Sequence, residues 1–179
     1  MAFIAKEQEG FEELEPGFYH MVISQVVVVG TPVEPDRFGK RRQQVRIVLE
    51  LPEEIVSIDG EDKRRTYSQF FSTNLKEKWM GKLIAAVNNG KGITTEEREN
   101  GYELGNLINQ NFTVSVGLND NGKLRIESIQ RHKGEAVEAI EPRYFDPEDY
   151  EKAGHKFPDW MSDGIKRLLI ACEEYKLPF

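Results

Sequence analysis

Cysteine is almost absent. Cys172 stands alone, so no internal disulfide can form and a reducing compartment is the expected setting. Long hydrophobic runs are missing too. Runs such as Val26–Val29, Leu83–Val87 and Leu168–Cys172 are far short of the ~20 apolar residues that cross a bilayer as a helix, so no membrane association is expected. The opening Met-Ala-Phe-Ile-Ala-Lys turns acidic and lacks the pattern of a secretory signal. His20, His132 and His155 show no metal-ligand spacing. There is no Gly-Lys-Ser/Thr phosphate loop and no Rossmann glycine pattern. The acids Asp146, Glu148, Asp149 and Glu151 lack the glycine turn of a calcium-binding loop. With these signals missing, the expectation is a protein that is not an enzyme and carries no cofactor or metal.

What is there is charge, unevenly placed. The formal net charge is -7, yet Arg37–Arg46 holds five basic residues (Arg37, Lys40, Arg41, Arg42, Arg46) and no acid. Residues 1–16 carry one Lys and five Glu, residues 17–133 carry 17 basic and 15 acidic groups, and residues 134–179 carry 6 and 11. A slightly basic middle lies between acidic ends. A concentrated positive loop on an acidic chain points to a local anion site, with nucleic acid one candidate, against the plainer reading of a solvated loop. The acidic ends are expected to compete for the same basic surface.

Residues 1–16 read as an acidic leader ending at Pro16-Gly17. Phe18–Val29 then reads as a long strand, with Tyr19, Met21, Ile23, Val27 and Val29 assigned to one face. In Val45–Leu51, apolar residues alternate with Gln44, Arg46, Val48 and Glu50, a half-buried strand that carries Arg46 on its wet face. Asp59-Gly60 is a turn signal, and Thr66–Ser72 is the third strand, expected to pair with the second. Asn74 is the expected N-cap of a helix with the stripe Leu75, Trp79, Met80, Leu83, Ile84 and Val87, ended by Asn88-Asn89-Gly90. Residues 91–106 read as a loop with a short helical turn. Phe112–Val116 and the run from Leu124 to Arg131 form a hairpin about Asn119–Gly122. Residues 134–157 lack periodicity and read as an acidic linker or wrapped tail. Pro158–Tyr175 reads as a helix with Met161, Ile165, Leu168, Leu169 and Cys172 on one face, to be buried on the barrel, on a second copy as a homodimer, or on another protein.

Three strands, a helix and two strands give a mainly β expectation: a five-stranded OB-fold-like barrel over residues 17–133, with a helix between strands 3 and 4, then a C-terminal helical extension over 134–179. The chain resembles the OB-fold single-stranded-DNA-binding and replication-accessory proteins of tailed bacteriophages. The residues that carry the likeness are Leu14-Glu15-Pro16-Gly17-Phe18-Tyr19, the Val45–Leu51 strand, Phe70-Phe71-Ser72-Thr73-Asn74-Leu75 and the Asn119–Lys123 turn. The resemblance implies non-catalytic binding of single-stranded DNA in phage replication or recombination, in the cytoplasm of a bacterial host. Leu177-Pro178-Phe179 also resembles the Pro-Phe tip by which bacterial single-stranded-DNA-binding proteins recruit replication partners. Here Tyr175 and Lys176 precede it and the acids Glu173 and Glu174 lie further back, so a helix stopped by Pro178 is the other reading.

OB-folds hold single strands with cations that track phosphates and aromatics that stack on bases. The expected nucleic-acid surface is Arg37, Phe38, Lys40, Arg41, Arg42 and Arg46, joined by Lys63, Arg64 and Arg65, with Tyr67 and Phe71 sharing one strand face as stacking candidates. Phe70 is the alternative to Phe71, since adjacent strand residues face opposite ways and one of the two is core. Trp160, Leu177, Pro178 and Phe179 are the expected partner-binding residues, unless Trp160 anchors the terminal helix. The competing function is an OB-like protein-interaction module with no direct nucleic-acid contact.

Overall fold

The computed structural model describes residues 14–176. The chain is mainly β: β1 (Gly17–Gly30), β2 (Gln44–Ile58), β3 (Glu61–Ser72), β4 (Asn111–Leu118), β5 (Leu124–Arg131) and β6 (Arg143–Phe145) form one sheet. Its order is β3-β2-β1-β4-β5, all antiparallel, and β6 pairs parallel with Gln25–Val27 of β1. The sheet is open rather than a closed barrel, with β3 and β5 at the ends of the strand order. Helix α1 (Lys78–Val87) contacts both of those strands. The sixth strand lies in the stretch read from sequence as linker or tail.

Two hairpins set the register. At the β2–β3 turn Asp59 and Gly60 both take positive φ (52° and 80°), the geometry of a type I′ turn, which matches the twist of the strands it joins. At the β4–β5 turn the Asn119 side chain accepts from the N–H groups of Asn121 and Lys123 at 3.0 and 2.9 Å. The β2 alternation holds: Val45, Ile47, Leu49 and Leu51 are buried, with Met21, Ile23, Val26, Phe112, Val114 and Val116, in a core that α1 covers with Met80, Leu83 and Ile84. Removing one large side chain from such a core, for example Phe112→Ala, costs about 3–5 kcal/mol. Asn74 is not the helix cap. Its side chain and carbonyl instead accept from Lys76 and Glu77 N–H, forming a turn, and α1 starts after Glu77 without a side-chain cap. Residues 91–106 contain α2 (Thr95–Asn100), opened by a Thr94–Glu97 capping box, and a 3-10 turn at Leu104–Leu107.

The assignment of Val27 and Val29 to the same face as Tyr19, Met21 and Ile23 does not hold. The β1–β2 register steps from Ile23↔Leu49 to Gln25↔Val48, so a bulge at Ser24–Gln25 adds one residue to β1. Beyond it the faces exchange. Val26 joins the first core, while Val27 and Val29 turn to the opposite face and pack with Phe145, Tyr150, Met161, Leu169, Cys172 and Tyr175. The C-terminal segment thus closes a second core on the outer face of the sheet. Residues 134–142 are wrapped rather than free: the Asn111 carboxamide donates to Val137 O and accepts from Val137 N–H, Asn109 Oδ1 accepts from Ala139 N–H, and Glu50 accepts from Ile140 N–H. After β6, α3 (Pro147–Lys152) carries an Asp146–Asp149 capping box with proline at its start. The terminal helix is shorter than the sequence suggests. It is α4 (Asp163–Ile170), capped by Ser162 and followed by a 3-10 turn at Glu173–Tyr175. Its stripe is buried on its own sheet through Leu169 and Cys172, while Leu168 is exposed.

Candidate nucleic-acid interface

The β1–β2 loop, residues 31–43, has a tip and a foot with different chemistry. At the tip, the Asp36 carboxylate accepts from the Phe38 and Lys40 N–H groups, both at 2.9 Å, and Asp36 N–H donates to Lys40 O. The Lys40 N–H, followed by that of Phe38, holds the Asp36 carboxyl below its usual range even though burial pulls the other way. This closed turn projects Arg37, Phe38, Lys40 and Arg42 into solvent. The Phe38 ring is 67% exposed, and the Arg37 guanidinium lies 4.8 Å from its centroid.

The foot is stitched to the C-terminal segment. Val33 N–H donates to Ala171 O at 3.0 Å and Glu173 N–H to Thr31 O at 3.0 Å, around a Pro32–Cys172 bridge. Arg41 donates to Pro32 O at 2.9 Å and pairs with Glu173. Glu174 accepts from both the Thr31 N–H and hydroxyl at 2.7 Å. Burial disfavours the charged form of Glu174, but the Thr31 groups, its own N–H and the Gln43 amide outweigh burial and hold the carboxyl below its usual range. Gly30 takes φ +94°, which favours glycine, and a Cβ there would press on that carboxylate. The acidic C-terminal segment therefore occupies part of the basic loop, and Arg41 is ion-paired rather than open.

The remaining expected residues separate. Arg46 is half-buried: it donates to Gln25 Oε1 at 3.1 Å and faces a groove walled by Trp160, Met161 and Ile165. Burial lowers its pKa, and the wet face assigned to it is covered by the C-terminal segment. Lys63, Arg64 and Arg65 do not extend the loop surface. The register puts Ser72 opposite Gln44 at the loop and Arg64 opposite Ile55, so the two clusters lie roughly 25 Å apart along the hairpin at ~3.3 Å per residue. Arg64 pairs with the buried Glu50 at 3.2 Å and donates to Glu138 O at 2.8 Å, which makes it a fastening for the wrapped segment. Lys63 lies 3.9 Å from Glu61, and Arg65 is half-buried on the side of Tyr67.

Phe71 is core, 4% exposed, because it pairs with Val45 on the inner face. Its ring is not offered to a ligand. Tyr67, on that same face, is half-buried against the core with its hydroxyl on Gln69, and burial raises its pKa. The exposed aromatic of this strand is Phe70, 44% exposed and opposite Arg46, two residues from the foot of the loop. The signal for it was the pairing: once Val45 is inward, its partner Phe71 is inward and Phe70 outward. Thr73 N–H donates to Gln43 O at 3.1 Å and ties the end of β3 to the returning loop. The Trp160 ring is half-buried under Arg143, whose guanidinium is 5.3 Å from its centroid. Leu177, Pro178 and Phe179 lie outside the described residues.

Among the described residues, no group of three or more His, Cys, Asp or Glu is placed to hold a metal ion, and no helix is long and apolar enough to cross a membrane. Burial, with the Glu174 charge, pushes the Cys172 thiol up to about 11, so it stays protonated at neutral pH. No protein-family model, curated protein or solved structure matches the chain.

Proposed function

We propose that the chain binds single-stranded DNA without sequence preference, as a non-catalytic component of phage replication or recombination in the bacterial cytoplasm. The observation that carries this is the loop tip, where Arg37, Phe38, Lys40 and Arg42 stand exposed together on a protein of net charge -7. Cations there meet phosphates, and Phe38 and Phe70 stack on bases; every base has a face to stack on, which is why little sequence preference follows. The order β3-β2-β1-β4-β5, with α1 reaching both end strands, supports reading the sheet as an OB-type barrel left open. Replication or recombination proteins would be recruited through the C-terminal segment, where α4 keeps Leu168 and Ile170 exposed.

Fluorescence anisotropy of a labelled oligo-dT at several salt concentrations tests this. Affinity falls with salt, and Arg37→Ala with Arg42→Ala flattens the log–log slope by about 1.4, at ~0.7 per phosphate lost. Affinity independent of salt, or untouched by the double substitution, overturns it. A second reading is favoured by Glu173 and Glu174 already seated at the loop's foot: the loop takes an acidic protein segment. An oligonucleotide that fails to bind while an acidic peptide engages Arg37–Arg42 would establish that reading in its place.

A further inference from the structure

A second cationic surface lies away from the loop. Between α1 and the end of β5 runs an open groove of about 770 Å³, floored by Ala85, Ala86 and Ile129 and rimmed by Lys82, Arg131 and Lys133. Among the described residues, no carboxylate lines it. None of the three cations makes a salt bridge among the described residues, unlike Arg41 and Arg64. Lys82 is held over the Trp79 ring, 4.8 Å from its centroid, and Arg131 donates to the Asn89 side chain. One source of negative potential at the groove is the C-terminus of α1, where Ile84 O, Ala85 O and Ala86 O accept from Asn88, Gly90 and Asn89 N–H. β5 ends the strand order, so among the described residues one of its edges carries N–H groups with no strand partner. Arg131 is level with Met21 of β1 through Phe112, while the basic loop leaves β1 at Gly30, roughly 30 Å along the strand.

We propose that this groove binds a nucleotide, its phosphate held between Lys82, Arg131 and Lys133 and its base laid on the Ala85–Ala86–Ile129 floor. Three cations lining one groove, with no salt-bridge partner among the described residues, suit a phosphate, and an apolar floor beside them suits a planar base. A free mononucleotide and one residue of a longer strand present the same chemistry. The site stands apart from the loop and does not depend on it.

Trp79, touched by Lys82, is the reporter. In the Trp160→Phe protein it is the remaining tryptophan, and its emission is followed during titration with thymidine monophosphate, thymidine and oligo-dT. The phosphate-bearing probes are expected to give a saturable change and thymidine none. Arg131→Gln with Lys133→Gln weakens the response about tenfold or more, the scale of losing charge-assisted hydrogen bonds. Both residues are exposed, so loss of folding does not explain that result. Arg37→Ala with Arg42→Ala leaves the thymidine monophosphate response unchanged, which separates this site from the loop. A mononucleotide binding as tightly as oligo-dT marks the source as a free nucleotide, and much tighter oligo-dT marks it as a strand; either supports the site. No saturable change at millimolar nucleotide, or a response that survives Arg131→Gln with Lys133→Gln, overturns the proposal.

Discussion

Arg37–Arg42 and Lys63–Arg65 are alike in the sequence, short cationic runs beside a strand with an aromatic nearby, yet they are used differently. At the loop tip the cations face solvent, and Asp36, the acid beside them, is turned inward to hold the backbone of the turn. In β3, Arg64 is drawn onto a buried carboxylate, Glu50, 5% exposed, which also receives the Ile140 N–H. The difference is the location of the counter-charge. A basic run becomes a surface only when the fold supplies it with no buried acid, and that is decided by pairing partners distant in sequence.

The contrast is most sharply tested by removing one arginine from each run. Arg64→Ala leaves Glu50 buried without its partner and is expected to cost about 3–5 kcal/mol in urea unfolding, while Arg42→Ala stays within about 0.5 kcal/mol. Equal losses would erase the distinction. Between the adjacent aromatics, Phe71→Ala is expected to lower stability by about 3–5 kcal/mol and Phe70→Ala far less. Phe38→Ala leaves unfolding unchanged and weakens oligo-dT binding by about 1–3 kcal/mol; unchanged affinity would remove Phe38 from the interface. At the foot of the loop, Glu173→Gln frees Arg41 and is expected to tighten oligo-dT binding by less than about 1 kcal/mol, the scale of an exposed ion pair. The smallest effect concerns acid. The Glu174 carboxyl sits below its ordinary 4.5, so its contribution to stability is present above that pH and disappears as pH falls through the lowered value. The stability gap between wild type and Glu174→Gln should therefore narrow on acidification, as read by urea unfolding across pH.

The strand β2 was legible because its inner face is apolar while its outer face carries Gln44, Arg46 and Glu50, which writes alternation into the sequence even though the C-terminal segment covers part of that outer face. β1 was legible as a strand but not in its facing: the bulge carries no Gly or Pro, and only the polar pair Ser24-Gln25 inside an apolar run hints at it. The Glu50–Arg64 pair and the choice between Phe70 and Phe71 follow from register, which no local pattern states. β6 and α3 are too short to show a period, although Asp146-Pro147 with Asp149 is a helix-start signal of the same kind as Thr94 with Glu97. The tip residues of the loop were found by the run of positive charge and the aromatic Phe38 inside it. The groove at Lys82, Arg131 and Lys133 was not, because Lys82 on α1 and the Arg131–Lys133 stretch at the end of β5 lie more than forty positions apart in the sequence.

The bulge at Ser24–Gln25 makes β1 a wall shared by both cores. Losing the C-terminal cover would expose Val27 and Val29 on the same strand that sets Met21, Ile23 and Val26 in the first core, so the C-terminal segment is expected to be more than a detachable tail. Amide protons along the centre of β1 should then exchange only when the whole molecule opens, and the sheet and its C-terminal cover should melt as one cooperative unit. A truncation designed to unmask the basic loop would instead strip one side of the strand that organises everything else.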